Sequence, residues 1–145
     1  MYLIDTNVIS AAAPSRPIPQ ALIDWMDSHS ASLFLSAVTI AEIVDGIAKS
    51  RREGATRKSA DLTAWLDTVL HLYGDRILAF DAATARIAGA MADRARGKGL
   101  APGLADIILA ATAQHHGLMI LSRNLRHLEP LGVGVLDPFV KLPAT

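Results

Sequence analysis

Tyr2-Leu3-Ile4-Asp5-Thr6-Asn7 is the stretch on which the reading of this chain turns. Three residues of strand character run straight into an acid, a hydroxyl and an amide. Apolar residues on consecutive positions predict a strand buried on both faces of a parallel sheet, since a half-exposed strand alternates. Asp5 then stands at the strand's carboxyl end, where open α/β sheets place their ligand sites. Asp5 or Thr6 equally suits the N-cap of a following helix. Whether other chemistry converges on Asp5 decides between the two.

The bulk numbers narrow the class. A chain of 145 residues fits a single domain, 1–145, long enough to bury most of a continuous core. With 51% hydrophobic and 19% charged residues, it is globular and not a disordered tail. Fourteen basic residues balance fourteen acidic ones, so no net positive field recruits nucleic acid at long range, and any such binding must use local patches. The absence of cysteine excludes disulfide frameworks and thiolate metal sites and agrees with a reducing compartment. An acid at position 5 argues against a signal peptide, and the most apolar run, Ile107 to Ala113, falls far short of the roughly 20 residues a membrane span needs. A soluble cytoplasmic protein without membrane contact is expected.

Outward from the opening strand, Val8 to Ala13 predicts a short helix stopped by Pro14, then a proline-rich loop to Pro19 and a helix from Pro19 to Ser28. Leu33 to Ser36 reads as a second buried strand. Thr39-Ile40-Ala41-Glu42 has the form of a capping box, which gives Glu42 a purely structural alternative. Gly46, inside the apolar face of that helix, suggests close approach of a neighbour or ligand. Lys49, Arg51, Arg52, Arg57 and Lys58 cluster around Gly54, as a solvated helix end or a phosphate contact. Thr56 to Tyr73 carries an amphipathic stripe suited to core or to a dimer face. Arg76 to Phe80 reads as a third strand, with Asp81 as N-cap of an alanine-rich helix to Arg96.

The second informative element is Leu104-Ala105-Asp106-Ile107-Ile108-Leu109-Ala110-Ala111-Thr112-Ala113, apolar nearly all round and therefore a buried helix. Asp106 lies in its first turn. The helix dipole favours an acid there by only about 0.3–1 kcal/mol, less than the several kcal/mol an unpaired buried carboxylate costs. Asp106 must meet a cation or face a wet cleft. His115 and His116 point to different faces and suit carbonyl capping better than a shared zinc site. Leu118 to Leu121 is a fourth strand, followed by polar Ser122-Arg123-Asn124, and Gly132 to Leu136 is the last.

Strands alternating with helices predict a parallel sheet covered on both faces, whose strand ends gather Asp5, Glu42, Asp106 and Asn124 at one edge. Two like charges 4 Å apart repel by roughly 4 kcal/mol at an effective dielectric near 20. Three packed carboxylates would carry about 12 kcal/mol of repulsion, beyond what a marginally stable domain tolerates. A hard divalent cation resolves this, and all-oxygen ligands point to Mg2+ or Mn2+ over zinc. Such an ion serves phosphoryl chemistry.

Asp5-Thr6-Asn7 after an N-terminal strand, Glu42 followed by Gly46, Asp106 opening its helix, and Ser122-Arg123-Asn124 after the next strand together resemble the PIN-domain nucleases. In length and order the chain is similar to the VapC toxins of toxin–antitoxin pairs, FitB-like members included, over essentially its whole extent. The resemblance implies a three-layer α/β/α sandwich on a mainly parallel sheet of four to five strands. It implies a Mg2+- or Mn2+-dependent endoribonuclease in which Asp5, Glu42 and Asp106 hold the metal and position water. Asn124 matches a position that is Asp or Asn in the family. Where many relatives carry a further acid this chain has His127, which weakens a second metal site. A cognate antitoxin that blocks the pocket, a homodimer, and DNA contact only through the antitoxin also follow from the resemblance.

On this reading Thr6 and Ser122 hydrogen-bond phosphate or water, while Arg123 and the Lys49–Lys58 cluster hold the RNA backbone. Two other classes stand beside it. An aspartate-nucleophile phosphatase would use Asp5, but those enzymes pair it with a second acid two residues on, and this chain has Asn7. A catalytically weak binding partner within an antitoxin–DNA complex is the other.

Overall fold

Consecutive strands run parallel, and the order in which they lie side by side decides where a site forms. The computed structural model describes residues 1–144. β1 (Tyr2–Ile4), β2 (Leu33–Ser36), β3 (Ile77–Leu78), β4 (Met119–Leu121) and β5 (Val135–Leu136) make one five-stranded, all-parallel sheet in the order β3-β2-β1-β4-β5. β1 is central, with β2 and β3 on one side and β4 and β5 on the other. The chain reverses its direction of travel across the sheet at β1, which opens a crevice at that strand's carboxyl end.

Burial on both faces, expected from the unbroken apolar run, is observed: Leu3 and Ile4 are fully buried on opposite sides. Ile4 packs with Leu33, Leu35 and Leu121 under α2 (Gln20–Ser28), α3 (Ala37–Arg52) and α4 (Thr56–Tyr73), whose Leu22, Ile43 and Leu66 close that layer. Leu3 and Ile120 face α5 (Ala82–Gly97) and α6 (Leu104–His116) through Met91 and Leu109. The sheet thus lies between two helical layers. Among the described residues no helix is long and apolar enough to cross a membrane.

Several boundaries move for identifiable reasons. The first helix, α1 (Thr6–Ile9), starts two residues early because Asp5 caps it, accepting from the Thr6 N–H at 2.7 Å; Ser10–Ala12 continues as a 3-10 turn. β3 is shorter than the expected 76–80. Arg76 sits in a 3-10 turn, its guanidinium donating to the carbonyls of Ser30, Leu33 and Leu72. The last strand begins late because Gly132, at φ +81°, closes a turn. Asp81 caps α5 as expected, accepting from the Thr84 N–H at 3.0 Å. α6 ends at left-handed Gly117, whose backbone N–H meets the carbonyls of Ala113 and Gln114, so that His115 and His116 are not needed as caps.

The capping box is the clearest correction. α3 begins at Ala37, three residues before its expected start, with Ser36 as N-cap accepting from the Val38 N–H at 3.2 Å. Thr39 is then inside the helix, fully buried, and its hydroxyl has no hydrogen-bond partner among the described residues. Ser36 wins because it ends β2, so a cap there lets the chain turn into the helix at once. Replacing Thr39 by the isosteric Val removes an unsatisfied hydroxyl and is expected to stabilise the protein by about 1 kcal/mol in urea unfolding. A capping Thr39 would instead make the same change destabilising.

Candidate active site

Register builds the site. β1 and β4 pair Ile4 with Leu121, and the next step places Asp5 beside Ser122. The Asp5 N–H still donates to the Leu121 carbonyl (2.9 Å), and the Ser122 N–H to that of Leu136 (3.0 Å), so both residues are fixed to the sheet although they lie beyond its strands. Asp5 is 8% exposed and Ser122 is fully buried. The Ser122 hydroxyl donates to Asp5 Oδ2 at 2.6 Å and accepts from the Asn124 N–H at 2.9 Å. The Asn7 amide donates to Asp5 Oδ2 (3.2 Å) and Ser122 Oγ (3.3 Å), while its Oδ1 accepts from the Arg123 N–H at 3.1 Å. Asn7 thereby knits the β1 end to the β4 end.

Asp5 caps α1, as one reading of the sequence had it, and also accepts hydrogen bonds from Ser122 and Asn7. Both its oxygens are engaged, Oδ1 by the Thr6 N–H and Oδ2 by Ser122 and Asn7. That suits a fixed ligand or acceptor better than an attacking nucleophile. Glu42 joins through Thr6, whose hydroxyl donates to Glu42 Oε1 at 2.6 Å. Asp106 is half-buried and lines a cavity of about 230 Å³ together with Arg126 and His127. It faces a wet cleft, one of the two outcomes open to it. Asn124 precedes the short α7 (Leu125–Leu128), and its side chain does not cap that helix. Arg123 is exposed, its guanidinium carbon 4.7 Å from the centre of the Phe139 ring.

Burial, above all, raises the Asp5 carboxyl above its ordinary range; hydrogen bonds from Ser122 and then Thr6 oppose this, and the charge of Asp106 adds a smaller upward push. The expectation of three carboxylates pressed together is corrected here. Among the described residues no three acidic or histidine side chains stand close enough to hold one ion between them. Desolvation of a single carboxylate, and not repulsion among three, dominates the electrostatics. The salt bridge found among the described residues joins Lys49 to Glu53 at 4.0 Å on the surface, so none reaches Asp5 or Asp106.

A buried carboxylate with no basic partner among the described residues is a group that a hard divalent cation could compensate. Mg2+ in particular is commonly held by one or two carboxylates, with water and substrate phosphate completing its shell. Asp5 and Asp106 fit that pattern, with Glu42 one hydroxyl away. Of the two expectations for Gly46, close approach of a neighbouring helix is corrected: a Cβ there would meet nothing within 4 Å. Gly46 lies on the rim of a second cavity, of about 280 Å³, which Thr6 and Glu42 share. Sequence reasoning missed Asn7 as a structural hub; its place two residues after Asp5 was the available signal.

A central parallel strand that delivers an acid to the switch point, with further acids brought from α3 and α6, defines the class. The chain belongs to the PIN domain family, matched over residues 2–130. Within it, the chain is 32% identical to the toxin FitB of Neisseria gonorrhoeae, over 96% of this chain and 99% of that protein. It is 31% identical to the VapC ribonuclease Y4jK of Sinorhizobium fredii, over 96% and 98% respectively. The crystal structure of FitAcB from Neisseria gonorrhoeae superposes with a TM-score of 0.81 at 35% identity, covering 95% of this chain and 98% of that one.

Because the folded state holds the Asp5 proton more tightly than the unfolded chain, whose carboxyl titrates near 3.8, ionising Asp5 costs stability. As pH rises from that value through the folded one, the folded state carries the extra proton and stability falls; above both, the full cost persists. Asp5→Asn is therefore expected to raise the melting temperature of the divalent-free protein by a few degrees at pH 8, with the gain shrinking as pH is lowered into the carboxylate range. A lower melting temperature at pH 8 would show that the hydrogen bonds from Ser122 and Asn7 outweigh the burial.

Proposed function

We propose that the protein is a Mg2+- or Mn2+-dependent endoribonuclease, the toxin of a toxin–antitoxin pair, with Asp5 and Asp106 as the side chains that hold the ion and Glu42 beside them. The observation that carries this reading is the buried Asp5 carboxylate, raised by desolvation and left without a basic partner in a PIN-family chain. The relatives named VapC ribonuclease and toxin FitB support it. A bound divalent ion supplies a Lewis acid that polarises the phosphodiester and favours ionisation of water.

The chain's own residues perform the remaining tasks. Ser122 and Asn7 fix Asp5 in one orientation, which removes the reorganisation a mobile carboxylate would need. Glu42, exposed and held by the Thr6 hydroxyl, is the group that takes a proton from the attacking water. The Thr6 and Ser122 hydroxyls, both donating to carboxylates, act by positioning those acids more than by gripping phosphate. Arg123, steadied on Phe139, and Asn124, with its side chain free of capping, stand at the β4 end for contact with the RNA backbone or the ion.

A cognate antitoxin belongs to the same reading, supported by the likeness to the FitAcB structure. A basic side chain inserted between Asp5 and Asp106 would neutralise them as the ion does and so exclude it. Contact with DNA is through that partner, as the family resemblance implies. A homodimer and a cytoplasmic location complete the reading.

Incubation of the purified protein with RNA and Mg2+ is expected to give cleavage that EDTA abolishes. Asp5→Asn and Asp106→Asn should each lower the rate by more than the roughly 10–100-fold that loss of an outer-layer partner costs, and Ser122→Ala by an amount within that range. Undiminished cleavage by both Asn variants would rule the assignment out.

A further inference from the structure

From the cavities, we infer that single-stranded RNA enters the site along a groove formed by the Pro14–Pro19 loop and the N-terminal part of α4, with Arg16, Arg57 and Lys58 as its phosphate contacts. The inference rests on the ribonuclease reading and adds to it the path of the substrate. The cavity that holds Thr6 and Glu42 shares Arg16, Lys58 and Leu62 with a larger one of about 710 Å³, which continues past Arg57. One groove therefore leads from Glu42 outward over these three cations.

Sequence places Arg16 far from Lys58; the fold brings them to one wall. Ser15, a non-glycine residue at φ +66°, turns the loop immediately before Arg16. Arg16, Arg57 and Lys58 are exposed and form no salt bridge among the described residues. Lys49, by contrast, lines the same groove but is engaged by Glu53 at 4.0 Å. The acid that opposes the three cations in the larger cavity is Asp61, so the groove keeps a net positive charge on a protein with none overall.

A polyanion is the ligand such a wall selects, and Trp65, half-buried against the core at the inner cavity, offers an aromatic surface that suits a single strand. Unpaired bases stack on aromatic side chains, whereas a duplex keeps its bases stacked on one another. The groove's continuity with Thr6 and Glu42 favours RNA over a protein segment, because a strand laid along it brings its own phosphodiester to the carboxylates.

The test compares wild type with Arg16→Glu/Lys58→Glu, and with Arg57→Glu as an independent single variant, each checked for an unchanged melting temperature. Fluorescein-labelled single-stranded RNA is bound in EDTA across a salt series, and cleavage with Mg2+ is followed for RNAs of increasing length. The double variant is expected to bind at least tenfold more weakly, with a salt slope shallower by about 0.7 for each phosphate that is no longer neutralised. For wild type kcat/KM is expected to rise with RNA length, and this rise should flatten in both variants. If wild type cleaves RNA and the variants retain its affinity, salt slope and length dependence, the groove assignment is overturned while the ribonuclease reading stands. Loss of antitoxin binding with RNA binding intact would make the groove a protein interface, and overturn it too. If wild type cleaves no RNA with any divalent ion, the ribonuclease reading fails and takes the groove with it.

Discussion

A carboxylate buried beyond the end of a central strand is the constraint from which the remainder of this structure follows. Asp5 is 8% exposed, and no salt bridge reaches it among the described residues. Removal from water pushes its proton affinity up, and the two hydrogen bonds from Ser122 and Thr6 only partly offset that. Proteins seldom keep such a group for stability, since an apolar or neutral residue there would fold more easily. Its presence in the crevice of an open parallel sheet is what the proposed cation would explain.

The sheet supplies the rigidity this arrangement needs. Asp5 and Ser122 follow paired positions on β1 and β4, so their 2.6 Å contact is set by strand register and not by loop conformation. Asn7 reinforces it by bridging Asp5, Ser122 and the backbone of Arg123. Glu42 and Asp106 arrive differently, on the second turn of α3 and the first turn of α6, in the helical layers on opposite sides of the sheet. Each opens onto its own cavity, Glu42 towards Arg16 and Lys58, Asp106 towards Arg126 and His127. Asp5 thus lies between two cavities, one lined by Glu42 and the other by Asp106.

Much of this was legible in the residues. Unbroken apolar runs at Leu3-Ile4 and Leu33-Phe34-Leu35 announced strands covered on both faces, and α6 announced itself by being apolar all round. These signals are strong because burial acts on every residue of the element. Local signals fared worse where two candidates competed. Thr39 and Ser36 both precede α3 or open it, and only the end of β2 decides that Ser36 caps it. Spacing along the chain also brought Asp5, Glu42 and Asp106 to one edge without saying how closely they pack, so the balance between mutual repulsion and simple desolvation was out of reach. Arg16 was invisible for the same reason: its neighbour Lys58 lies forty-two positions away, on another element.

Calorimetric titration of Mn2+ into the divalent-free protein bears most directly on the claim that Asp5 is held in readiness for a cation. The account predicts saturable binding that tightens as pH rises out of the carboxylate range and disappears in Asp5→Asn. Equal binding by wild type and Asp5→Asn, or none by either, would contradict it.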